Sequence, residues 1–126
     1  MMNQIEIGYD KRFLREKRKF NRKCSSIDLD FKRFEKALIV DLEDNNYKIT
    51  LDTKKYSKIS GLADYVTLPA FVAKSFYCKK MNKGSNSGFR ISFIYDPSTR
   101  YIYFVEFYFK QVNEVENKER INRLFK

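Results

Sequence analysis

Apolar and polar positions alternate most regularly between Ser87 and Lys110, and that stretch reads as a β-hairpin. In its first arm Phe89, Ile91, Phe93 and Tyr95 are set against Arg90, Ser92 and Ile94, the period of a strand with one buried face. The second arm, Arg100 to Lys110, is apolar or aromatic on both faces, which puts it in the sheet interior with material packed on each side. Asp96-Pro97-Ser98-Thr99 has turn chemistry, with Pro presetting φ at the second position and Asp suited to the first. With Tyr95 facing Arg100 across a four-residue loop, Arg90 lies opposite Val105, on the face that also carries Ser92, Tyr101 and Tyr103.

Upstream, Gln4 to Tyr9 alternates as a first short strand. Asp10 then has the place of an N-cap for a helix whose Phe13, Leu14, Lys17 and Phe20 share one side and whose other sides carry Lys11, Arg12, Arg15, Arg18 and Lys19. Cys24-Ser25-Ser26 interrupts that pattern, and Ser25 with Asp28 has the spacing of a capping box for a second helix built on Phe31, Phe34, Leu38 and Leu42. Asp44-Asn45-Asn46 ends it. Tyr47 to Leu51 reads as a short strand or the ragged helix end, and Lys54 to Lys58 as basic loop. Ala70 to Met81 alternates as a strand that pairs with the Gly88 arm. The glycine- and serine-rich connection from Asn82 to Gly88 lacks the spacing of a phosphate-binding loop and leads into a strand, so it reads as a hairpin loop. Asn113 and Glu116 have capping-box spacing before a final helix marked by Ile121, Leu124 and Phe125, with Glu116–Arg120 and Glu119–Arg123 as i,i+4 pairs.

The pattern predicts one α+β domain over residues 1–126: an N-terminal helical hairpin packed on one face of a curved antiparallel sheet, with a short C-terminal helix. Charge changes the picture. Lys and Arg number 26 against 16 Asp and Glu, a formal net charge of +10, which points to a polyanionic partner. The excess sits in the first 23 residues and between residues 48 and 90, while the second helix is net acidic. No histidine occurs, and no cysteine or carboxylate motif has metal-ligand spacing, so the expectation is chemistry without histidine, metal or cofactor. No apolar run is long enough to span a membrane, and the N-terminus lacks the apolar core of a signal peptide, which predicts a cytoplasmic protein. Cys24 and Cys78 are expected there as free, half-buried thiols.

The element order, Lys74 and the Lys79/Lys80 pair ahead of Ser87-Gly88-Phe89-Arg90, the Tyr101–Tyr108 strand with Glu106, and Lys110 followed by Glu114, Glu116 and Glu119-Arg120-Ile121 together resemble the RelE/ParE superfamily of bacterial and archaeal toxins. The likeness runs from about Phe71 to Leu124 and is topological only before Leu68. It implies a toxin of a type II toxin–antitoxin module, an acidic antitoxin as partner, and mRNA on the ribosome as substrate of a metal-independent endonuclease that inhibits translation. DNA contact then arises only through the toxin–antitoxin complex. Two other readings stay open: a gyrase-directed toxin of the same fold, and a non-catalytic module that binds nucleic acid or antitoxin.

By motif, Arg90 corresponds to the family's strand arginine at the scissile phosphate and Lys74 to a strand lysine. Lys79, Lys80, Lys83 and Tyr103 are candidate RNA contacts, since a tyrosine beside lysines suits single-stranded RNA. RNA-cleaving members carry an arginine after the last strand and a tyrosine beyond it, where this chain has Gln111 and Glu116. Those roles are therefore either vacant or moved to Lys110 and Tyr108, which strand alternation places on the face opposite Arg90 unless the strand is bulged or bent. Glu106, a carboxylate within an aromatic strand, calls for a partner that the sequence does not name.

Overall fold

The computed structural model describes residues 4–51, 53–81, 87–113 and 115–126. The chain runs β1 (Glu6–Tyr9), α1 (Lys11–Lys19), a 3-10 turn (Phe20–Arg22), α2 (Ile27–Asp44), β2 (Tyr56–Lys58), β3 (Ala70–Ala73), β4 (Phe89–Asp96), β5 (Tyr101–Phe109) and α3 (Lys118–Leu124). The strands form one sheet in the order β1-β5-β4-β3-β2. The class is α+β, as the pattern implies, and the sheet is mixed rather than wholly antiparallel: β1 runs parallel to β5, and the other three pairs are antiparallel.

On one face the α1–α2 hairpin buries Phe13, Ile27, Phe31, Leu38 and Leu42 against Phe93, Phe104 and Phe107. The contacts are ring on ring, with centroids 5.4 Å apart for Phe13 and Phe104, and 5.2 Å apart for Phe31 and Phe104. Each buried ring contributes about 1.5–3 kcal/mol through area, plus about 0.5–1.5 kcal/mol for a well-placed aromatic pair. Asp10 caps α1, its carboxylate accepting from the Arg12 N–H at 2.9 Å. Lys17, Arg18 and Lys19 in the last turn complement the helix dipole. The capping box at Ser25 does not form. Ser26 holds the cap position of α2, and its hydroxyl donates instead to the Asp30 carboxylate at 2.6 Å.

The opposite face is also covered, which is why β5 is apolar on both sides. Ala70, Val72, Ile94, Val105 and Tyr108 pack there against Ile121 of α3, with Ile59, Leu62 and Val66 beside them. α3 starts four residues later than its expected cap, because Asn117 rather than Asn113 accepts the Arg120 N–H. Two upstream expectations also shift. The basic segment after residue 53 supplies strand β2, and Tyr47–Leu51 supplies none. The strand from Ala70 ends at Ala73 rather than running on to Met81.

The hairpin forms with a different register. Asp96 pairs with Tyr101, Tyr95 with Ile102 and Phe93 with Phe104. Arg100 sits in the turn at φ 57°, its guanidinium 3.5 Å from the centre of the Tyr47 ring. The register then slips once more between Ser92 and Phe93, so that Ser92 faces Glu106 and Arg90 faces Tyr108 rather than Val105. Val105 and Glu106 together occupy the space of one residue, a β-bulge in β5. This slip turns Tyr108 to the face of Arg90.

Cys24 and Cys78 are not free thiols. They form a disulfide, both fully buried, with Cα atoms 6.2 Å apart. The bond closes a loop of sequence separation 54, worth about 4 kcal/mol on a chain-entropy account. The double variant Cys24→Ser/Cys78→Ser is expected to unfold at clearly lower urea than the oxidised parent, and the parent to be lighter by two hydrogens before reduction than after. Equal urea midpoints would contradict the stabilising bond.

Candidate functional site

The bulge assembles a row of polar residues across the sheet. Arg90 and Tyr108 are direct cross-strand partners on the face away from α1 and α2, since Phe89 and Ile91, on either side of Arg90, belong to the helix-side core. The β3–β4 ladder ends at Ala73 and Ile91, and Lys74 and Arg90 are the next residues beyond that last pair on their two segments. On its other side Lys74 is held by its N–H, which donates to the Lys55 carbonyl at 2.9 Å. Arg90 and Tyr108 are thus paired across the sheet, and Lys74 follows the end of the neighbouring strand. Arg90 donates from one guanidinium nitrogen to the Phe89 carbonyl at 3.0 Å.

Gly88, in the motif that precedes Arg90, has φ +88°, and a Cβ there would stand 2.9 Å from the Phe109 ring. Glycine is therefore required both for the turn into β4 and for the approach of β5. Tyr108 is 4% exposed. Burial raises its phenol pKa, the Glu116 and Glu106 charges raise it further, and Arg90 pulls the other way. The phenol stays protonated at neutral pH, which suits a hydrogen-bond donor and not a base.

The other candidates lie elsewhere. Tyr103 is five residues from Tyr108 along β5, roughly 15 Å at strand rise, and its hydroxyl donates to Asp10 at 3.2 Å. It ties β5 to the start of α1. Lys79 and Lys80 are seated on the helix layer: their backbone N–H groups donate to Asp30 at 2.9 Å and to the Ser26 hydroxyl at 3.3 Å. Lys110 is exposed just past β5, its N–H bonded to the Gly88 carbonyl at 2.7 Å. Gln111 is exposed in the turn that follows, and Glu116 is half-buried ahead of α3. Lys83 lies outside the described residues.

Sequence reasoning missed Arg120. Its side chain is 6% exposed, pairs with Glu16 at 2.6 Å, and stands 3.9 Å from both Asp10 and Glu106. It also donates to the carbonyl of Val105, the bulge residue, while Glu16 accepts from the Phe107 N–H at 3.1 Å. β1 pairs with β5 only as far as Phe104, so these side chains serve backbone groups beyond the reach of the neighbouring strand. The expected Glu116–Arg120 surface pair is replaced by this buried cluster, whereas Glu119–Arg123 forms at 3.7 Å. The signal in the sequence was Glu106 itself, which demanded a cation, with Arg120 beside the apolar Ile121.

Cys24, Cys78 and Asp30 offer three ligand atoms within 4.8 Å of one another, a grouping their sequence spacing does not announce. The sulfurs are bonded to each other, and Asp30 Oδ2 already accepts from Ser26 and Lys79. The donor set is thus used up internally. A cleft of about 380 Å³ beside α2, lined in part by Asp41, Tyr56 and Tyr77, is similarly occupied by its own pairing, Tyr56 donating to Asp41 at 2.8 Å.

Removing Arg120 leaves Glu16, Glu106 and the Val105 carbonyl without their cation. Arg120→Met is expected to cost about 3–5 kcal/mol, read by urea unfolding. Glu106 behaves differently, because burial holds its carboxyl above the ordinary value of 4.5, only partly offset by the Asn117 N–H and Arg120. A raised folded pKa gives stability that is present below the unfolded value and lost as pH rises through the folded one. As pH rises from the ordinary carboxylate value towards neutrality, the urea midpoint of Glu106→Gln is expected to gain on that of the parent. A constant difference would remove Glu106 from the pH response.

No family model, curated protein or solved structure matches this chain, so the geometry above is what a functional reading has to stand on.

Proposed function

We propose that this chain is a RelE-like toxin that binds mRNA on the ribosome and cleaves it slowly, with an acidic antitoxin as its resting partner. The observation that carries the reading is the Arg90–Tyr108 cross-strand pair, with Lys74 just past the end of the strand next to it. The helical hairpin on one sheet face, which the resemblance implies, supports it further. In the reaction the RNA 2′-oxygen attacks the adjacent phosphorus and the bond to the 5′-oxygen breaks, leaving a 2′,3′-cyclic phosphate and a 5′-hydroxyl. Lys74 and Arg90 offset charge on the phosphoryl oxygens, and neutral Tyr108 donates to an oxygen gaining charge. Lys74, Arg90 and Tyr108 themselves include no histidine or carboxylate, so water takes the 2′-hydroxyl proton and water protonates the leaving 5′-oxygen, and the rate is low.

That missing base is also the observation that favours the second reading, a module that binds nucleic acid, gyrase or antitoxin without cleaving. Among the described residues no helix is long and apolar enough to cross a membrane. The cytoplasm is the location that belongs to the toxin reading.

Purified protein on programmed ribosomes, with 5′ ends mapped, is expected to give codon-phased cuts. Arg90→Ala should slow cleavage by about a hundredfold or more and Tyr108→Phe by at least about tenfold, with unchanged circular dichroism. The Tyr108 effect follows from the bulged register; a Tyr108→Phe protein as active as the parent would take the phenol out of the site. If the parent makes no cuts, the binding reading replaces cleavage.

A further inference from the structure

A second group of basic residues surrounds the Cys24–Cys78 bond on the helix-layer side of the sheet, the face opposite Arg90 and Tyr108. Arg22 and Lys23 precede Cys24, and Lys79 and Lys80 follow Cys78, so the disulfide brings two basic runs from distant parts of the chain to one place. Lys23 Nζ also lies 4.7 Å from the centre of the Phe109 ring at the end of β5. Arg22, Lys23, Lys79 and Lys80 are all exposed. Among the described residues none of the four makes an ion pair. Asp30, beside them, is buried and accepts from the Lys79 N–H and from Ser26. The 3-10 turn adds a concave depression of about 620 Å³ lined by Arg18, Lys19, Phe20, Asn21, Arg22 and Lys23. Tyr77, next to Cys78, exposes 42% of its surface.

We infer that this disulfide-stapled end of the molecule is a docking surface for the phosphate backbone of single-stranded RNA, and that the Cys24–Cys78 bond holds its basic segments in register. Cations drawn from two distant segments, with a concave basic floor and an exposed aromatic ring beside them, match the way such strands are tracked: charge along the backbone and stacking on a ring. The bond supplies what the side chains do not. Held only by two backbone hydrogen bonds, Lys79 and Lys80 would move independently of Arg22 and Lys23, and a linear polyanion would meet two weak half-sites in place of one. The inference shares with the proposed function only the choice of RNA, and it stands without cleavage.

The test is the anisotropy of a labelled, unstructured oligouridylate, without ribosomes, titrated at several salt concentrations with oxidised protein. Each phosphate contact adds about 0.7 to the slope of log affinity against log salt for single strands, so Lys79→Ala/Lys80→Ala and Arg22→Ala/Lys23→Ala should each flatten it by about 1.4. At low salt each pair should lose at least tenfold in affinity. Lys118→Ala/Lys126→Ala, on and just past α3, serves as the remote control and should bind like the parent. Reduced parent and Cys24→Ser/Cys78→Ser, checked by circular dichroism to be folded, should bind about tenfold more weakly than oxidised parent. Basic double variants that bind like the parent, reduced protein that binds as tightly as oxidised, or polyglutamate that competes as well as RNA at equal charge would each overturn the inference. A parent that cleaves on ribosomes but does not bind the oligouridylate would sink the inference alone; intact binding by a parent that never cleaves would sink the proposed reaction alone.

Discussion

The guanidinium of Arg120 is the group on which the far end of the sheet depends. β5 outruns β1 at Phe104, and at that point its backbone needs partners that no strand provides. Arg120 from α3 donates to the Val105 carbonyl, Glu16 from α1 accepts from the Phe107 amide, and the two side chains pair with each other. One ion pair therefore joins the first helix, the central strand and the last helix. A purely apolar plug would leave those backbone groups unsatisfied, at a cost of about 1–3 kcal/mol each. The buried charge is tolerable because every part of it is hydrogen-bonded.

From that clamp follows the geometry of the row. The bulge that exposes the Val105 carbonyl to Arg120 is also the irregularity that turns Tyr108 towards Arg90. A regular β5 would send Tyr108 into the phenylalanine core and bring an apolar residue to Arg90. Arg120 touches nothing in the row, yet its contact with the bulge sets which side chains the row contains.

The hairpin, both helices of the N-terminal layer and the double-sided cover of β5 were legible in the sequence because each rests on periodicity, which local residues report directly. What was not legible turns on a single residue in an unusual conformation or on contacts across the chain. Arg100 takes a left-handed backbone conformation that sequence rules reserve for glycine and asparagine, and it is held there beside Tyr47. The bulge answers to Arg120, fifteen residues downstream of Val105. The disulfide joins two cysteines that composition alone assigned to free thiols, and β2 is a three-residue strand in a segment too basic to resemble one. Of the candidate site, alternation put Arg90 on the face away from the helices, where it lies, while Tyr108 was sent to the opposite face by a register counted without the bulge.

β1 lies beside β5 in parallel, Glu6 level with Tyr101. A strand made near the beginning of synthesis must therefore wait for one made near the end. Until β5 has left the ribosome, Ile5 and Ile7 have no sheet to join, and the basic helix that follows has Phe13 without its partner Phe104. Closure of the sheet, and with it the placement of Glu16 against Arg120, comes as a late, long-range event whose loop-closure entropy is met only when almost all of these residues are available. The nascent chain thus spends its time on the ribosome with its basic helix formed or forming and its polar row not yet built. An unfinished molecule carries the positive charge of that helix but not yet the pairing of Arg90 with Tyr108 across the finished sheet.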